Sequence, residues 1–164
     1  MEVRASGMFA GKSLGNAGDA TANQFLCHAL RHLRPEDGLL SEEEKDNAER
    51  LSHSRVWIID PVDGTREYSE GRSDWAVHVA LAVDGKPTVG AVALPGLGLL
   101  LRSDLPIWVT PPPARLRMVV SRSRPAAEAM AVACCSGFAT PDNTAQAWAI
   151  RSMRHSTLLL APKT

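Results

Sequence analysis

The chain has 164 residues, 45% of them hydrophobic and 22% charged, a length and composition that suit one globular domain with its own core. Its 18 basic side chains balance 18 acidic ones, which argues against nucleic acid or an anionic membrane as a partner. Cys27, Cys134 and Cys135 form neither a disulfide framework nor a zinc spacing, and with no leader peptide or membrane-spanning apolar run they point to the cytoplasm.

Residues 1–18 are rich in Gly and Ser and show no hydrophobic period. From Asp19, a candidate N-cap, the residues Phe25, Leu26, Ala29, Leu30 and Leu33 recur at helical spacing. Arg31, His32 and Arg34 suit that helix's C-terminus, and Pro35 ends it. Leu39-Leu40 then leads into the acidic run Ser41-Glu42-Glu43-Glu44, followed by a polar loop. Val56-Trp57-Ile58-Ile59 reads as a buried strand that stops at Asp60-Pro61, because proline cannot continue a central ladder. Residues 75–83 and 87–94 read as a hairpin closed by Asp84-Gly85, whose turn needs positive φ values. Gly96 and Gly98 flank a further turn before Leu99-Leu100-Leu101. A proline-rich loop, a strand over 116–120 and an alanine-rich helix over 125–135 follow. Beyond about Gly137 the periodicity is lost.

The chemistry gathers around D-P-V-D-G-T-R-E, residues 60–67. Asp60 closes a strand and Asp63 follows one tight turn later, so both carboxylates can face one small volume. Gly64 and Thr65 open a helical turn whose first N–H groups lack an intrahelical acceptor. A cation site thus adjoins an anion site, a pairing that suits metal-assisted phosphate-ester hydrolysis. If Leu39-Leu40 neighbours Val56–Ile59, Glu42 converges on Asp60. Each piece also has a plainer reading. D-P-V-D-G alone is a turn more often than a metal site, Glu42–Glu44 a solvated run, and Asp19 a cap. His78 reads as a structural residue on the polar face, and Trp57 and Trp75 as core.

Together, V-W-I-I-D-P-V-D-G-T-R-E, the Ser41-Glu42-Glu43 segment and Asp19 in G-D-A-T-A-N resemble, in order, the signatures of the inositol monophosphatase-like family of Mg²⁺-dependent phosphatases. Arg66-Glu67-Tyr68 after the signature is similar to the 3'(2'),5'-bisphosphate nucleotidases of the CysQ type, as are residues 69–83 and 119–125. The resemblance implies an α+β fold: the N-terminal half of a layered αβαβα sandwich, an antiparallel sheet flanked by helices. It implies that Glu42, Asp60 and the Val62 carbonyl bind one Mg²⁺, and Asp60 and Asp63 a second. It implies that Thr65, with Asp19 behind it and Glu43 close by, orients the attacking water. Gly64 and Thr65 would hold the phosphate, with Asp63 and Arg66 on the substrate side. The implied substrate is a small phosphate ester, 3'-phosphoadenosine 5'-phosphate in sulfate assimilation. Inositol-1-monophosphatase and fructose-1,6-bisphosphatase activity are alternatives, as is a remnant that binds metal or a partner without turnover. A homodimer stays open.

The resemblance covers roughly residues 2–135. A second family signature, Trp-Asp followed by small residues, has no counterpart: Trp148 precedes Ala149, and Asp142 lies in P-D-N-T. The expected organisation is therefore a family αβ unit over 1–136 and an atypical tail over 137–164, with the second half incomplete by truncation.

Overall fold

The computed structural model describes residues 3–106, 118, 120 and 126–136. The expected strand over 116–120, the proline-rich loop and the tail from 137 lie outside or mostly outside them. The described elements are helix α1 (Gly11–Leu33), strand β1 (Gly38–Ser41), strand β2 (Arg55–Asp63), helix α2 (Thr65–Ser69), strands β3 (Ala76–Val83), β4 (Lys86–Leu94) and β5 (Leu99–Arg102), and helix α3 (Ala127–Ser136).

The strands form one sheet in the order β1-β2-β3-β4-β5. Four of them make an antiparallel meander, as expected, but β1 pairs with β2 in parallel, so the sheet is mixed. The reason is the connection. After β1 the chain returns through a 3₁₀ turn, Ala48–Ser52, capped by the Asn47 side chain, which accepts from the Glu49 amide. This return passes close over the start of β1: a Cβ on Gly38 would stand 3.2 Å from the Arg50 backbone. Asp37 then pins the start of β2, accepting from the Trp57 indole at 2.8 Å and pairing with Arg55 at 3.0 Å. Trp57 is consequently half-buried at the sheet rather than in the core, and Ile58 is 41% exposed, so β2 is less buried than its composition suggests.

Strand β2 also runs through Pro61 instead of stopping before it. The ladder to β3 shifts register between Asp60 and Asp63, and a proline inside such an irregularity need not supply a ladder N–H. The β3–β4 hairpin forms as expected, with φ of 50° at Asp84 and 72° at Gly85, values that match a two-residue mirror-image turn.

Helix α1 begins at Gly11, eight residues before the expected cap, and Asp19 lies in its interior, 6% exposed. The glycines that hide the helical period are what let α1 approach α2. A Cβ on Gly15 would come within 2.9 Å of Thr65 Cγ2, and one on Gly18 within 2.5 Å of Tyr68 Cε1. The apolar period expected for this helix is only partly used: Phe25 and Leu33 are 71% and 63% exposed. Cys27 on the same helix is a buried thiol, pushed up to about 11 by burial and then by Glu44.

Below α1, Leu14, Val62, Tyr68 and Trp75 form one core cluster, flanked by Ala22 and Val77. Tyr68 and Trp75 meet edge to face at 4.8 Å. Arg4 lies over the Tyr68 ring at 4.2 Å and donates two hydrogen bonds to the Tyr68 carbonyl, at 3.1 and 2.7 Å, tying the N-terminal turn to the end of α2. A second cluster, Ala76, Val92 and Leu94 with Leu101, joins β3, β4 and β5.

Alanine is the better helix former, yet at position 18 its methyl group has no room against the Tyr68 ring. Gly18→Ala is therefore expected to lower stability by about 1–3 kcal/mol in urea unfolding. A variant as stable as the parent would show that α1 and α2 are not packed this closely.

Candidate metal and phosphate site

The parallel pairing of β1 and β2 decides where the carboxylates meet. Both strands run the same way, so both C-terminal ends arrive at one edge of the sheet. Ser41 stands opposite Ile59, and the Glu42 amide donates to the Ile59 carbonyl at 3.1 Å. Glu42 is thereby set beside Asp60, close enough for each carboxyl group to feel the other's charge. From the other neighbour, β3 places His78 opposite Asp60, and its Nε2 lies 3.2 Å from an Asp63 carboxylate oxygen. His78 is thus part of the acidic cluster, not a remote polar-face residue.

The turn into α2 completes the group. Gly64 precedes the helix with φ of 91°, a left-handed conformation that favours glycine. Thr65 follows as the first helical residue, and its hydroxyl donates to the Val62 carbonyl at 3.0 Å. The same hydroxyl lies close enough to the Asp19 carboxyl to oppose the rise in its pKa. Asp19 reaches it because it stands one helical turn after Gly15, the residue whose missing side chain admits Thr65. Glu42 and Glu43 remain open to solvent, while Asp60, Asp63 and Thr65 are half-buried. Arg66 is at the surface, its guanidinium paired with Glu70 at 2.9 Å.

The electrostatics follow from this crowding. Burial pushes the Asp60 carboxyl up to about 7, and Glu42 and Asp63 add to the rise, with His78 opposing it. Burial likewise pushes Asp19 up to about 6; the Thr65 hydroxyl opposes the rise, and Glu43 and Glu42 reinforce it. The cluster therefore holds more negative charge than the protein groups around it neutralise. Among the described residues no three His, Cys, Asp or Glu side chains close into a ready-made cage. The donor chemistry nevertheless fits a hard divalent cation, since carboxylates and a carbonyl offer oxygen only. The Val62 carbonyl can serve both Thr65 and a cation because it has two lone pairs.

Two features escaped the sequence reading. His78 would have needed the β2–β3 register, which no local pattern carries. The Glu42–Glu44 run is not a uniformly solvated face: Glu44 is held by Arg31 at 2.5 Å and by Asn23 at 3.3 Å, both from α1.

Asp60 and Asp19 hold protons in the folded state at a pH where the unfolded chain has released them. Their contribution therefore makes the metal-free fold lose stability as pH rises from about 4 through the folded values of about 6 and about 7. Asp60→Asn removes the larger share of that loss. Its stabilising effect in EDTA is expected to grow between pH 4 and pH 7 and then level off in urea unfolding. An effect independent of pH would contradict this charge crowding.

The Inositol monophosphatase family profile matches residues 11–155 of the chain. The 3'-phosphoadenosine 5'-phosphate phosphatase of Mycobacterium tuberculosis (strain CDC 1551 / Oshkosh) is 48% identical over 125 residues, covering 70% of this chain and 47% of that protein. The 3'(2'),5'-bisphosphate nucleotidase CysQ of Salmonella typhimurium is 36% identical over 85 residues, covering 51% of this chain and 35% of that protein. The chain spans about half the length of the first of these curated relatives and less of the second. Among solved structures, inositol monophosphatase - II from Staphylococcus aureus MSSA476 matches with a TM-score of 0.51 and 25% identity, over 54% of this chain and 35% of that one. An IMPase/NADP phosphatase complexed with NADP and Ca²⁺ matches with a TM-score of 0.50 and 27% identity, over 52% and 34%. With its family profile matched over most of its length and its α+β architecture shared with these structures, the chain belongs to the inositol monophosphatase family.

Proposed function

We propose that this chain is a Mg²⁺-dependent phosphomonoesterase whose substrate is 3'-phosphoadenosine 5'-phosphate. The observation that carries the reading is the meeting of Glu42, Asp60 and Asp63 at one sheet edge, next to the Thr65–Asp19 pair. The substrate rests on the similarity to the mycobacterial phosphatases and on Arg66-Glu67-Tyr68 after the signature.

Glu42, Asp60 and the Val62 carbonyl would hold one cation, and Asp60 with Asp63 a second. Mg²⁺ bound there supplies Lewis-acid polarisation of the phosphate and makes a nearby water more acidic. The chain's own residues do the remaining work. Thr65 and Asp19 orient the attacking water: once the Thr65 hydroxyl turns from the Val62 carbonyl to the Asp19 carboxyl, that carboxyl, raised to about 6, accepts the water's proton through it. Glu43, which faces Asp19 closely enough to raise it, keeps that carboxyl basic. The backbone N–H groups of Gly64 and Thr65 bind phosphate oxygens at the start of α2. His78 keeps Asp63 turned into the cluster. Asp63 and Arg66 border the substrate, Arg66 after release from Glu70. All these residues lie within 1–136, which we assign as the αβ unit of the site; 137–164 contributes none of them.

The second cation would share Asp60 with the first and lack its carbonyl ligand, so it binds more weakly, and turnover is low relative to a relative with a further acidic ligand. The test is Mg²⁺-dependent phosphate release from 3'-phosphoadenosine 5'-phosphate, inositol 1-phosphate and fructose 1,6-bisphosphate. Release is expected to be fastest from the nucleotide. Asp60→Asn is expected to abolish it together with calorimetric Mg²⁺ binding, while Thr65→Ala keeps Mg²⁺ and loses about a hundredfold or more in kcat. Mg²⁺ binding with no release from any of the three esters would identify a non-catalytic binding module instead.

A further inference from the structure

Glu42 and Glu43 sit at the end of a four-residue strand, exposed and surrounded by like charge. Such a dipeptide should splay into solvent unless something holds it. The holder is on α1. The Asn23 carboxamide oxygen accepts from the buried Ser41 hydroxyl at 2.6 Å and from the Cys27 thiol at 3.1 Å. Its NH₂ group donates to Glu44 at 3.3 Å. Arg31, two turns further along the same helix, donates to both Glu44 carboxylate oxygens. Ser41 in turn accepts from the Glu43 amide at 3.4 Å, while the Glu42 amide is fixed on Ile59. One side chain therefore grips the residue before the Glu42-Glu43 pair and the residue after it. The amide orientation is set by chemistry, because Glu44 can only accept and so must face the NH₂ group.

We propose that Asn23 is a positioning residue: through Ser41 and Glu44 it clamps both ends of Glu42-Glu43 and aims the Glu42 carboxylate at the cation beside Asp60. The proposal rests on the metal-site reading above. An asparagine that merely stabilised α1 against β1 would make a different claim, namely that its loss lowers stability wherever it is tested and has no special link to Glu42. Outer partners that orient ligands change metal affinity by about ten- to hundredfold, which sets the size of the effect to look for.

The experiment is calorimetric titration of Mg²⁺ into the EDTA-treated chain, with urea unfolding in EDTA alongside. Asn23→Ala and Ser41→Ala are expected to weaken Mg²⁺ binding by about ten- to hundredfold, and Ser41→Thr, which keeps the hydroxyl, to bind like the parent. In a Glu42→Gln background, Asn23→Ala is expected to weaken binding no further, because the ligand it aims is already gone. Parent-like binding by Asn23→Ala, or the same loss with and without Glu42, overturns the proposal. Should Asn23→Ala fail to fold, the Ser41 pair decides: equal binding by Ser41→Ala and Ser41→Thr overturns it. Failure of the metal site itself is distinguishable, since the parent would then take up no more Mg²⁺ than Asp60→Asn; that result overturns both readings.

Discussion

The parallel register of β1 on β2 is the constraint on which the site depends. Two adjacent strands that run the same way end at the same edge, so the residues that follow them share one small region. An antiparallel β1 would deliver Glu42 to the opposite end of β2, away from Asp60. The register is enforced by a close crossover, with Gly38 against the Arg50 backbone and Asp37 holding Trp57 and Arg55. These contacts lie at the far end of the strands, where they fix geometry without touching the chemistry.

The second support is the approach of α1 to α2. Two glycines in the middle of a helix each cost about 1 kcal/mol relative to alanine. They are retained where they let Thr65 and Tyr68 pack directly against the helix. This brings Asp19 to the Thr65 hydroxyl and Asn23, one turn later, to Ser41. A single helix thus sets a carboxyl group behind the threonine and an asparagine beside the glutamates. The resulting concentration of carboxylates opposes folding in the absence of a cation. That is the usual relation between a binding site and stability: what prepares the site is unfavourable while it is empty.

Much of this was legible in the sequence because it rests on local chemistry. The Asp84-Gly85 hairpin, the strand before Asp60 and the convergence of Glu42 with Asp60 follow from turn residues, β-branched runs and one assumption about neighbours. The errors share a cause. Gly15 and Gly18 erase the apolar period that announces a helix, so the sequence pattern starts α1 too late and makes Asp19 look like a cap. Pro61 signals a strand end except inside a register irregularity, which only the pairing with β3 reveals. His78 and Glu44 owe their roles to partners on other elements, His78 to Asp63 and Glu44 to Arg31 and Asn23. Contacts of this kind depend on register and helix rotation, which single-sequence patterns do not encode.

The central claim is that the carboxylates at the edge of β1 and β2 form a cation site. Anomalous diffraction from crystals soaked in Mn²⁺, which takes the same oxygen ligands as Mg²⁺, tests it most directly. A peak about 2 Å from carboxylate oxygens of both Asp60 and Glu42 is the predicted result. Mn²⁺ bound elsewhere, with Asp60 and Glu42 both unliganded, would contradict the account.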